Sequence, residues 1–199
     1  IARAEKYGTL VHFAETHDND RLAKGGHVYA RLRVQLAALL SWQGTWGIAN
    51  GVEWYCCEKI DVHGKNDLWW NAPDNMVSLV SRLNSILATH PAFSGKSHLK
   101  LVTRGAGNVL AVVRTTPGAP DVLLLANLDC SAGTSVDWDR NSFPYGHGTD
   151  LVSGLGYDLS GCVRLAAGEV LCLEAVGRKG AVAHSHRKDA DGAVSRPPH

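Results

Sequence analysis

The chain has no apolar run approaching the ~18 residues of a spanning helix, and its first residues carry Arg3, Glu5 and Lys6 where an export signal would be apolar. An anchored or visibly exported protein is not expected. Charge of one sign is also missing: 20 Lys and Arg stand against 19 Asp and Glu, a formal net charge of +1. Without a long-range field, neither nucleic acid nor an anionic membrane is an expected partner. The five cysteines, Cys56, Cys57, Cys130, Cys162 and Cys172, form no C-x-x-C pair and no zinc-type spacing. They read as reduced structural thiols of a cytoplasmic protein, and no metal or cofactor is expected. G-x-S-x-G, phosphate-loop and H-E-x-x-H motifs are all absent, and Gly105-Ala-Gly107 lacks the third glycine of a dinucleotide loop. Methionine occurs once and does not open the chain, which starts at Ile1, as the downstream part of something longer would.

What is present is a globular balance, 45% apolar and 20% charged over 199 residues, enough to bury a real core. Thr9–Phe13 is a short β-rich run ending in a polar stretch, Glu15 to Arg21. His27–Ser41 places Val28, Leu32, Leu36, Leu39 and Leu40 at helical spacing. Trp46–Val52 reads as a second short strand, and Asn75–His90 as a second helix capped by Asp74 and stopped by Pro91. This β-α-β-α order predicts parallel strands with covering helices. Beyond Phe93 the pattern changes to β runs separated by Gly and Pro, at Leu99–Arg104, Val109–Thr115, Val122–Asn127, Thr134–Trp138, Thr149–Val152 and Val170–Glu174. That predicts a small antiparallel sandwich with a boundary near 92–98. From Arg178 the composition predicts an unpacked tail.

Two features could carry chemistry. His17-Asp18-Asn19-Asp20-Arg21 directly follows a predicted strand, and carboxyl-end loops of parallel strands are where α/β proteins build active sites. A polar loop with a solvated Arg would look the same. Trp42, Trp46, Trp54, Trp69 and Trp70 gather five of the six tryptophans in one stretch. Flat rings pack on the C–H faces of sugars, and they also fill cores; Trp42 and Trp46, among apolar residues, suit the core better than Trp69 and Trp70. His184 and His186 lie in the expected tail, and Asp129, Asp137 and Asp139 suit turns.

Phe13-Ala-Glu-Thr-His17-Asp18-Asn-Asp-Arg21 resembles the F-x-x-N-H-D motif after the seventh barrel strand of the α-amylase superfamily, the glycoside hydrolase family 13 type, with Thr16 in place of Asn. Gly44-Thr-Trp46-Gly-Ile48-Ala-Asn-Gly51-Val-Glu53 resembles its eighth-strand signature G-x-P-x-I-x-x-G-x-E, with Trp46 in place of Pro. Asp121 to Asp129 and Ala167 to Leu171 are similar to strands of the domain that closes such enzymes.

The resemblance covers about residues 8–175 and implies the last two βα units of a (β/α)8 barrel over 1–92, an antiparallel β-sandwich over 93–176 and a tail over 177–199. It implies a part of a retaining α-glucan hydrolase or transglycosylase, with Glu58 to His63 pointing to an intracellular glycogen or maltosyl-transferring subgroup. Asp18 matches the carboxylate that stabilises the oxocarbenium-like transition state. His17, Arg21, Glu53, Trp54, Trp69 and Trp70 are the expected substrate-binding residues for an α-glucan or malto-oligosaccharide. The nucleophile and general acid match no residue here, so the isolated chain is expected to be inactive without an upstream barrel segment. A non-catalytic carbohydrate-binding module and an unrelated interaction protein are the competing readings.

Overall fold

The computed structural model describes residues 8–43 and 45–177. Of the expected tail, everything from residue 178 lies outside that range. The described chain is mostly β, with two α-helices, and none of its helices is long and apolar enough to cross a membrane.

Strands β1 (His12–Phe13) and β2 (Trp46–Gly47) pair in parallel, His12 opposite Trp46 and Phe13 opposite Gly47. Both are shorter than the β-rich runs containing them, because pairing is confined to those two positions. Between them runs α1 (His27–Leu39), entered through a 3₁₀ turn at Leu22–Gly25 and through Gly26 at φ 97, a backbone angle that favours glycine. Helix α1 buries Ala30, Leu32, Val34, Ala38 and Leu39, while Val28 stays exposed, so small residues let it approach its neighbours where a leucine stripe is expected.

Helix α2 (Val77–Thr89) buries Leu79, Leu83, Ile86 and Leu87 at regular helical spacing. Asp74 does not cap it. Its carboxylate meets His27 Nδ1 at 2.7 Å, and Asn75 Oδ1 accepts the Val77 N–H instead. The helix stops at His90, whose extended backbone is the conformation that a following proline requires.

From His98 onward every described strand pairs antiparallel. A six-stranded sheet has the order β3 (His98–Leu101), β5 (Val109–Thr115), β6 (Val122–Asn127), β11 (Val170–Val176), β8 (His147–Asp150), β9 (Gly156–Asp158). A three-stranded sheet has the order β10 (Val163–Leu165), β7 (Thr134–Trp138), β4 (Thr103–Arg104). Strand alternation divides the large sheet between two cores. Ala111, Val113, Leu123, Leu125, Leu171 and Leu173 pack with Val136, Trp138, Val163 and Leu165 of the small sheet. Val112, Val122, Leu124, Ala126, Val170 and Cys172 on the opposite face join the core of α1 and α2.

Strands β5, β6 and β7 occupy the residues that the sequence predicts. The run expected at Thr149–Val152 lies at His147–Asp150, because the Asp150 carboxylate accepts from the Ser153 N–H and hydroxyl and turns the chain there.

Candidate functional site

The chain leaves β1 at Phe13 and enters the polar loop. His17 and Asp18 project from it, with side chains 58% and 80% exposed and Nε2 to Oδ1 at 3.3 Å. They open onto a cavity of about 620 Å³ that is also lined by Phe13, Asn50, Ile60 and Leu68. Asn50 comes from the segment after β2, so the carboxyl ends of both parallel strands contribute to one hollow. Ile60 and Leu68 form its apolar wall from the long connection between β2 and α2.

Arg21, expected to face substrate, is buried. Its Nε lies 2.7 Å from Glu15 Oε1, with both side chains at 1% exposure or less, and Nη2 donates to the Asn50 carbonyl at 2.8 Å. With its guanidinium held inside the fold, Arg21 does not reach the cavity surface. Glu15 is the residue that sequence reasoning missed: it reads as one more polar loop residue, and its only signal is an Arg six positions later.

Glu53 also faces away from the His17–Asp18 cavity. Its Oε2 accepts the Gly51 N–H at 3.0 Å, and its side chain borders a second hollow of about 330 Å³ with Ile48, Trp54 and Asn84. Trp54 and Trp70 meet at 4.6 Å between ring centroids and 55° between planes. Trp70 is 62% exposed and Trp69 37%, whereas Trp42 is buried and donates to the Ser97 carbonyl. The aromatic segment holds left-handed backbone at Tyr55, Trp69 and Asn71, with φ 55, 52 and 60, a cost that clusters at ligand-holding loops. Trp69 is fixed there by the Asp67 carboxylate, which accepts its N–H at 2.8 Å.

Among the described residues no group of three or more His, Cys, Asp or Glu is arranged to hold a metal ion. All five cysteines are free thiols, and burial pushes the Cys172 thiol up.

No protein-family model matches the chain. An α-1,4-glucan:maltose-1-phosphate maltosyltransferase of Cereibacter sphaeroides is 28% identical over 148 residues, which is 67% of this chain and 22% of that protein. The fold matches the γ-CGTase of alkalophilic Bacillus clarkii with a TM-score of 0.67, at 18% identity, over 90% of this chain and 29% of that one. In sequence and in fold the chain is similar to enzymes of the α-amylase type. A further solved structure, AmyP in complex with maltose, matches with a TM-score of 0.62 at 15% identity, over 87% of this chain and 43% of that one. The chain thus spans less than half the length of each of these relatives.

Proposed function

We propose that this chain supplies the last two βα units of an α-amylase-type (β/α)8 barrel, over 1–92, and the C-terminal antiparallel β-sandwich, over 93–176, of an enzyme acting on α-glucans. Its substrate is a malto-oligosaccharide or a longer α-glucan, and its setting is the cytoplasm, where thiols stay reduced. The observation that carries this reading is the opening of His17 and Asp18 into one cavity beside the ends of two parallel strands. The maltosyltransferase relative and the maltose complex of AmyP support the substrate class.

In this reading the exposed Asp18 carboxylate accepts hydrogen bonds from two sugar hydroxyls and stabilises the positive charge that develops on the ring. His17, with its ring nitrogen beside Asp18, orients the carboxylate and donates to the same sugar. A retaining mechanism further requires a nucleophilic carboxylate and a general acid about 5–5.5 Å apart. Those two groups belong to an upstream barrel segment that pairs with β1. Trp54, Trp69 and Trp70 form an apolar platform for a neighbouring glucose unit, and Glu53 fixes the segment between β2 and that platform through the Gly51 N–H.

The test is the Asp18→Asn substitution in the enzyme carrying this segment. Turnover should fall by about 10²–10³, equivalent to about 2.7–4 kcal/mol of lost electrostatic stabilisation, with melting unchanged. Equal turnover would show that Asp18 is not part of the reacting centre. The 199-residue chain alone should release no reducing sugar from α-glucans, and release abolished by Asp18→Asn would place the whole carboxylate set inside it.

A further inference from the structure

Glu15 and Arg21 bracket the His17–Asp18 loop in sequence and meet at its base, Nε to Oε1 at 2.7 Å. The second Glu15 oxygen accepts the Leu22 N–H at 2.7 Å, so one carboxylate holds both the Arg21 side chain and the backbone that follows it. Arg21 then reaches across to the other wall, where Nη2 donates to the Asn50 carbonyl at 2.8 Å. The next residue, Gly51, has φ 92, and a Cβ there would lie 3.2 Å from Arg21 Nη2 and 3.1 Å from Cys56 Cβ. Glycine at this position provides both the turn and the room for the guanidinium.

A buried ion pair is a poor source of stability, since apolar groups of equal volume often do as well. Here the cost is higher, because among the described residues Arg21 Nη1 has no acceptor, and the close Nε–Oε1 contact is an ion pair that leaves both atoms without a hydrogen bond. What the pair supplies and an apolar filler cannot is a directed link between two loops. We propose that Arg21 is a positioning residue that locks the His17–Asp18 loop to the Asn50–Trp54 segment, so that both walls meet a sugar in one fixed arrangement. The proposal rests on the reading of His17 and Asp18 as sugar-facing groups. It makes the distance between the walls depend on a rigid planar guanidinium that pairs with Glu15 at one end and donates to Asn50 at the other, which a lysine cannot reproduce.

Amide hydrogen exchange on the 199-residue chain tests the coupling through amides that are hydrogen-bonded in each loop, Asn19 and Leu22 on one side and Val52 and Trp54 on the other. Arg21→Met should raise exchange about tenfold or more in both sets while the amides of β6 and β11 hold. Arg21→Lys keeps a cation beside Glu15 but loses Asn50, so only Val52 and Trp54 should speed up. Glu15→Gln preserves shape and should loosen Asn19 and Leu22 alone; it also serves as the folded variant if Arg21→Met does not fold. A rise spread evenly through β6 and β11 would reduce Arg21 to a general stabiliser and overturn the proposal. So would a rise confined to one loop in Arg21→Met. Maltotriose added to the wild-type chain reports separately: failure to slow exchange in either loop would remove the sugar reading and leave the loop coupling intact.

Discussion

Asp18 and Arg21 share one short loop and sit at opposite extremes of solvation, the Asp18 side chain 80% exposed and that of Arg21 wholly buried. An exposed carboxylate retains full acceptor capacity for a ligand, whereas the buried cation spends its donors on the fold. The same contrast separates the tryptophans. Trp42 is part of the core, and Trp70, at 62% exposure, contributes little to folding. Trp70→Ala should therefore leave stability within about 0.5 kcal/mol of wild type and weaken malto-oligosaccharide binding by about 1 kcal/mol, roughly fivefold; calorimetry and a melting curve read the two effects apart.

Tyr145 gives a prediction of a different kind. Burial pushes its phenol up to about 12, aided by the hydrogen bond it donates to Asp121 at 3.0 Å. Above pH ~10 the unfolded phenol ionises while the folded one keeps its proton. The contribution is thus complete below pH ~10 and lost as pH rises through about 12. Denaturant titrations across that window should show Tyr145→Phe losing less stability than wild type; parallel curves would contradict the assignment.

At the scale of elements, α1 and α2 are legible because their apolar spacing runs through three turns, and β5, β6 and β7 because each is an uninterrupted run between turn residues. Strands β9 and β10 are three residues long, below the length at which alternation can be seen, and they exist because neighbouring strands offer them partners. The position of the His17–Asp18 loop follows from strand order alone. The burial of Arg21 and the Trp54–Trp70 contact do not, since both depend on residues brought together from separate loops. Helix α2 can be tested by Leu83→Ala. Leu83 is fully buried in the core that α1 and α2 share with one face of the large sheet, and its truncation should cost about 2–5 kcal/mol. A loss below ~1 kcal/mol in urea titration would mean that the α2 face is not packed as described.

Across the whole molecule, one sheet joins the helical part to the small sheet, and Arg114 of β5 ties the joint. Its guanidinium donates to the carbonyls of Leu39, Ser41 and Trp42 at the end of α1 and lies 4.4 Å over the Phe93 ring. Burial lowers the pKa of this guanidinium to about 10, and it remains charged at neutral pH. The β-rich part thereby holds the end of α1, the segment that leads directly into β2. The paired strand ends and the loops they carry are in this way fixed against the rest of the fold. The proposed function requires that those loops form a malto-oligosaccharide site. Its most direct test is an NMR titration of the 199-residue chain with maltotriose, following the His17 ring and the Trp54 and Trp70 indole N–H signals. The predicted result is saturable shifts at His17 and at both indoles, lost in Asp18→Asn at the His17 ring. Shifts confined to the antiparallel sheets, with His17 and both indoles unmoved at saturating sugar, would contradict it.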